Sequence, residues 1–350
     1  MLCTMLVVSC KDDKDDPIPT DLTALKASIT AATEQLSSTE EGKNDGQYPT
    51  AARTALQDAI NAAQAVVDNT ETTQDQADAA KVSLDAAVTT YQGAVITPIA
   101  AENLIAHWSF DEGTGATAGD ASDNGFDGTF VAGPQWSDEH GGGMPDWVAD
   151  RSGAAGKAIH FGADGGSIEV PYNTKLNPAD ALTIATWIKS DVIKAGNRFI
   201  GLQSWIAYKF ELQDLNRPFM TIGWDGAPAY DRDSGQNLPN AEWHHVVATF
   251  GGGHMIFYVD GVMIKDWDDT PNPALSIADK PYNLAIGQDF PSDKYCSCNG
   301  DNFGKPESDE YQVIPLAWGG HFEGSLDELR MYNIALTESQ VGSLYDREKP

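Results

Sequence analysis

Positive charge is what this chain has least of: 22 Lys and Arg stand against 52 Asp and Glu, a formal net charge of −30 over 350 residues. A phosphate backbone needs a basic surface, so the balance argues against nucleic acid as a partner and against adsorption to anionic headgroups. Long apolar runs are missing as well, and no stretch approaches the roughly 20 residues that cross a bilayer as a helix. The signatures of common catalytic sites are absent: no HExxH, no nucleophile elbow, no P-loop. Cysteine is scarce, with four in all, of which Cys296 and Cys298 are separated by one residue. An oxidising location favours a bridge there, yet closing it over a single residue strains it, so a disulfide and two free thiols both stay open. Zinc would need two further ligands, and none is obvious nearby.

What the chain does have is a core. At 41% hydrophobic it can bury one, and its length has room for two domains. The organising stretch is Trp243 to Lys265, WHHVVATFGGGHMIFYVDGVMIK. Val246, Ala248 and Phe250 alternate with His245, Val247 and Thr249, and the second arm, Met255 to Val259, is β-branched and aromatic. Asp260-Gly261 supplies the positive φ values of a tight hairpin turn. Such a paired run is unstable alone and needs a second sheet over it.

Residues 1–10, MLCTMLVVSC, are apolar but short, with no basic residues ahead of them, and the acidic run Lys11 to Asp16 follows. Leu22, Leu25, Ile29, Ala32 and Leu36 then recur at helical spacing, Gly42 to Gly46 interrupts, and Leu56, Ile60, Ala63 and Val67 form a second stripe. Thr73 to Gln76 fits a capping box that opens a third stripe through Ala77, Ala80, Leu84, Ala87 and Tyr91. Three such helices pack as a small up-down bundle over residues 20–96. From residue 103 to 350 the pattern turns to short strands punctuated by Gly and Pro, which indicates a sandwich. Strands are predicted at Leu104–Phe110, Lys157–Phe161, Ser167–Val170, Leu182–Lys189, Arg198–Leu202, Ala207–Leu212, Phe219–Trp224, Tyr282–Gly287 and Gly324–Tyr332. A second capping box, Thr337 to Gln340, opens a short terminal helix.

Three resemblances sharpen this reading. Leu6-Val7-Val8-Ser9-Cys10 resembles the lipobox of bacterial lipoproteins, and the acidic run after it resembles the tag that sends such proteins to the outer face of the outer membrane. The implied state is a surface protein held to the membrane only by a lipid on Cys10, with residues 1–19 as address and tether. The order of helical motifs over residues 20–96 is similar to the FIVAR module, a common accessory of bacterial surface proteins. The third resemblance covers residues 103–350. Leu104–Gly115, Asp120–Gly125, Gly156–Phe161, Leu182–Ile188, the central hairpin and Gly324–Asn333 follow in the order of laminin-G-like, concanavalin A-like jelly rolls. The implied fold class is mainly β, a two-sheet antiparallel jelly-roll sandwich preceded by a three-helix bundle.

The same resemblance implies a function and its residues. Ser137–Gly153, Leu212–Asn240 and Asp289–Glu323 are longer than the family's loops, and long loops on a rigid sandwich are where function sits. Trp147, Trp224, Tyr230 and Trp318 lie in them and are the expected carbohydrate-stacking residues, with Arg217, Asp225, Asp231 and Arg232 as polar partners. A structural Ca²⁺ is implied at Asp111 and Asp327, with Asp127 or Gly128 adding an oxygen, although Asp327 could serve only to hydrogen-bond a turn. Related glycosidases carry Glu-x-Asp-x-x-Glu on one strand, which is absent here. Glu211 and Asp214 are spaced for opposite strand faces. Asp327-Glu328 and His244-His245 are adjacent and expected to point apart, with one His at the surface and the other hydrogen-bonded in the core. The expectation is therefore non-catalytic glycan capture at the cell surface, alongside other glycan-uptake proteins. A hydrolase or lyase with an unrecognised site, and a structural or protein-adhesive module, are the alternatives.

Overall fold

The computed structural model describes residues 19–134, 141–224, 227–270, 282–296, 314–315 and 320–350. The chain divides into two compact units, one formed by Gln47–Val95 with the chain up to Gly42, the other by Lys43–Gly46 with Ile96–Pro350. The first unit is a bundle of α1 (Thr23–Ser38), α2 (Thr50–Asp68) and α3 (Gln74–Gly93). Each buries its apolar stripe: Leu25, Ala32 and Leu36, then Leu56, Ile60 and Ala63, then Ala77, Leu84 and Tyr91. The capping box at Thr73 forms in both directions. The last carbonyls of α1 have no partner in their own helix, and Arg53 of α2 supplies one, donating to Leu36 and Thr39 at 2.9 Å.

The second unit holds β1 (Leu104–Trp108), β2 (Thr117–Ala118), β3 (Gly128–Val131), β4 (Asp146–Val148), β5 (Ala158–Phe161), β6 (Ser167–Val170), β7 (Leu182–Ser190) and β8 (Asn197–Leu202). It continues with β9 (Tyr208–Gln213), β10 (Arg217–Trp224), β11 (Ala227–Asp233), β12 (His244–Gly251), β13 (His254–Val259), β14 (Val262–Trp267) and β15 (Leu284–Ile286). The short parallel pair β16 (Tyr295–Cys296) and β17 (Ile314–Pro315) precedes β18 (Gly324–Tyr332) and the terminal helix α4 (Glu338–Glu348). One sheet runs β14-β13-β12-β7-β18-β5-β4 with β1 also on β18, and the other runs β11-β10-β9-β8-β15-β6-β3-β2. Both are antiparallel throughout, as a jelly roll requires.

The central hairpin forms as expected, Val246 to Gly251 pairing with Val259 to His254. Asp260 and Gly261 take φ values of 51° and 78°, the left-handed pair that a tight turn needs. The core lies between the sheets around Trp108, Phe161, Phe199, Tyr208, Phe210 and Phe257, all buried. A smaller cluster, Val247, Tyr258, Tyr332, Val341 and Leu344, seals α4 onto the outer face of the first sheet.

Two stretches expected to be loops are strands. Trp147 lies on β4 and Tyr230 on β11, each the edge strand or last rung of its sheet. Edge strands bury only part of one face, so their apolar alternation is faint: Ala-Pro-Ala-Tyr-Asp-Arg-Asp in β11 shows almost none.

Candidate functional site

The second sheet has a charged outward face. In β9, Tyr208, Phe210 and Leu212 point into the core, so Lys209 and Glu211 point out. Register then sets Arg198 beside Glu211, Phe219 beside Glu211 and Thr221 beside Lys209. Although outward, these groups are covered: Lys209, Glu211 and Asp289 are no more than 2% exposed, and Arg198 is 8% exposed. Two glycines bring the cover down. A Cβ on Gly201 would meet the Asp289 backbone at 2.7 Å, and one on Gly223 would meet the Ile206 carbonyl at 1.9 Å. The turn carrying Trp205 and the segment carrying Asp289 therefore lie directly on the sheet.

The charges close into a chain. Arg198 Nε donates to Glu211 at 2.9 Å and its terminal nitrogen to Asp289 at 2.7 Å. Lys209 Nζ stands 2.7 Å from Glu211, Gln213 also donates to Glu211, and the Tyr295 hydroxyl donates to Asp289 at 2.6 Å. Burial pushes the Lys209 ammonium down, against the pull of Glu211. For Arg198 burial also works downward, but Asp289 and Glu211 together hold it above its usual range. Burial, helped by Asp289, lifts the Tyr295 phenol well above its ordinary value. Half-buried Trp205 sits 5.0 Å from the Arg198 guanidinium and 5.6 Å from Lys209, and half-buried Phe219 sits 5.1 Å from Lys209. The result is an aromatic pair on a rigid, charge-balanced floor.

Both carboxylates of this floor are committed on each oxygen. Glu211 accepts from Arg198 on one and from Lys209 and Gln213 on the other. Asp289 accepts from Arg198 and from Tyr295.

The first sheet holds a second charged cluster, where β18 meets α4. Asp327 and Glu328 do not point apart. A bulge between Asp327 and Arg330 puts Glu328 at φ 54°, which turns both carboxylates toward Arg151. Arg151 pairs with Asp327, and Glu328 takes His107 at 2.6 Å and Arg330 at 2.7 Å. Burial raises Asp327 to about 7 against the pull of Arg151. The expected calcium ligands are not brought together. Asp111 faces Lys157 at 3.5 Å, Asp127 accepts the Asp120 amide at 2.8 Å, and Asp327 already holds a guanidinium. Among the described residues no group of three or more His, Cys, Asp or Glu is arranged to hold a metal ion.

The two histidines do face opposite ways. His244 pairs with Asp260 at 2.9 Å. His245 is buried beside the rings of Trp187 and Tyr345, at 5.4 Å and 6.1 Å, and among the described residues neither of its ring nitrogens has a hydrogen-bonding partner. The expected core hydrogen bond is absent because its neighbours there are aromatic rings. Burial, with Arg330 next in effect, lowers its pKa to about 3.

The residues expected to stack on sugar fall in different places. Trp147 donates to the Gly115 carbonyl at 2.9 Å and packs on Phe130 at 5.3 Å, tying a loop to the sheet. Tyr230 donates to Asp269 at 3.0 Å, and Arg232 lies 3.8 Å over its ring. Trp224 ends β10, the strand that also carries Phe219 and Thr221. Trp318, Asp225, Cys10 and Cys298 lie outside the described residues. Arg217 faces Asp233 at 3.6 Å, Arg232 faces Asp269 at 3.1 Å, and Asp231 accepts from Thr221 at 2.6 Å. Trp205, Phe219 and the Arg198–Glu211–Asp289 chain escaped the sequence reading. The signal was there in β9, where two charges interleave with Tyr208, Phe210 and Leu212 on a strand whose core face is already complete.

Residues 161–303 match the family model described as the concanavalin A-like lectin/glucanases superfamily. The likeness to that superfamily spans those residues of the second unit. A gellan lyase from a Bacillus species is 36% identical over 80 residues, which are 23% of this chain and 3% of that enzyme. The chain thus covers only a small part of that relative's length. Among solved structures, domain 4 of AbnA, an extracellular arabinanase from Geobacillus stearothermophilus bound to arabinotriose, covers 69% of this chain and is itself covered to 98%. It is 22% identical, with a TM-score of 0.49. The binding domain of Paraclostridial Mosquitocidal Protein 1 is 15% identical with a TM-score of 0.46, the overlap being 71% of this chain and 52% of that one.

Proposed function

We propose that the concanavalin A-like domain captures a neutral glycan, without cleaving it, on the outward face of its second sheet. The observation that carries this is the pairing of half-exposed Trp205 and Phe219 with a floor whose charges are already neutralised internally. A sugar's C–H face gains apolar and electrostatic contact on an aromatic ring. A floor held rigid before binding costs little to organise when the ligand arrives. The match to a lectin and glucanase superfamily and the sequence likeness to part of a polysaccharide lyase support the ligand class. The net charge of −30 disfavours polyanionic glycans.

In this reading Cys10 carries a lipid anchor and the protein works at the outer face of the outer membrane. The test is a glycan array probed with the full chain, with and without chelator, alongside a reducing-end assay on every polysaccharide that binds. Binding to neutral glycans with no release of reducing ends over hours is expected. Release of reducing ends or of unsaturated products would replace capture with catalysis.

A further inference from the structure

We infer that the domain has a second saccharide-binding cleft, at the start of its first strand and separate from the outward face of the second sheet. The cleft has a volume of about 340 Å³ and lies between Glu102–Ile105, Asn124, the loop from Lys175 to Asp180, and Asn333. Its apolar lining comes from Leu104, Ile105, Pro178 and Ala179. Its rim carries two carboxylates, Glu102 and Asp180, one ammonium, Lys175, and the side chains of Asn124 and Asn333.

What marks the rim is its unspent hydrogen-bonding capacity. Among the described residues from 96 onward, every other lysine reaches a carboxylate or an aromatic ring: Lys157, Lys194, Lys209, Lys294 and Lys349 the former, Lys189 and Lys265 the latter. Lys175 shares a cleft with two carboxylates and pairs with neither, so the cleft holds the three charges apart. Asn124 spends its amide nitrogen on the carbonyls of Leu104 and Ile105, at 2.9 Å and 3.0 Å, which fixes the side chain and leaves its amide oxygen open.

Apolar side chains set among separated, mostly planar donors and acceptors suit a ring with one C–H face and hydroxyls around its edge. The volume admits one or two such rings. The ligand class is shared with the proposed function, but none of the residues are. Two sites on one rigid domain would let a polysaccharide bind with avidity.

The test is a titration of the isotope-labelled full chain, followed by amide NMR, with methyl glycosides of glucose, galactose and mannose, with N-acetylglucosamine, and with glycine as a zwitterionic control. At least one saccharide is expected to shift the Asn124, Lys175 and Ala179 amides saturably, in the parent and equally in Trp205→Ala. Losing a charge-assisted hydrogen bond in Asp180→Ala should weaken that response about tenfold. Cleft amides that no saccharide moves in the millimolar range overturn the inference, as does an equal response to glycine. Movement of the cleft alone, with Trp205 and Phe219 silent, upholds this inference and counts instead against the site on the second sheet.

Discussion

At the scale of single residues, His245 and Arg151 make opposite demands on pH. His245 has a folded pKa of about 3 against 6.5 unfolded. Its contribution is therefore fully present above pH 6.5 and is lost as pH falls toward 3. Replacing it with a ring that cannot titrate removes that dependence. Denaturant unfolding of parent and His245→Phe should show a stability difference that shifts toward the variant by about 1 kcal/mol per pH unit between pH 6 and 4. A difference that stays constant over this range would mean the imidazole finds a proton partner in the fold. Arg151→Met leaves Asp327, 1% exposed, without its cation. Breaking a buried pair in this way costs on the order of 3 kcal/mol. Asp327 already has a raised pKa, so its favourable contribution lies at low pH and fades as pH rises through about 7. The loss in Arg151→Met should accordingly be larger at pH 8 than at pH 5. The same samples address the calcium expected at Asp111 and Asp327. With a guanidinium already on Asp327, the parent's Tm should be unmoved by chelator, and a drop would restore the ion.

At the scale of elements, local chemistry was legible wherever a short rule decides the backbone. Both capping boxes form, Thr73 with Gln76 and Thr337 with Gln340. Thr337→Ala should lower stability by about 1 kcal/mol, read from the denaturation midpoint of the second unit; no change would show that α4 is fixed by its apolar face alone. The strands at Ser167–Val170 and Gly324–Tyr332 begin and end where the alternation says. The rules failed where a second force competes. Asp327 and Glu328 should alternate, but ion pairing on both rewards a bulge and a left-handed glutamate. Strands β4 and β11 were invisible because an edge strand needs little apolar patterning.

At the scale of the molecule, the order of family motifs fixed the jelly roll, since each motif marks a strand end that the whole sandwich must share. The proposed binding face was harder to see because it is assembled across separate segments, around Arg198, Trp205, Glu211 and Asp289, and no spacing in sequence records their approach. Aromatics in long loops drew attention instead, and the structure has Trp147 and Tyr230 bound into hydrogen bonds of their own. The most direct test of the account is isothermal titration of the parent and Trp205→Ala against whichever neutral glycan the array identifies. Trp205 is half-buried and outside the core, so the variant should fold, which its circular dichroism will confirm. The account predicts a loss of about 1–3 kcal/mol in binding free energy, the range of aromatic hot spots at other interfaces. Parent-like affinity in a folded Trp205→Ala would contradict it and move the glycan off the second sheet.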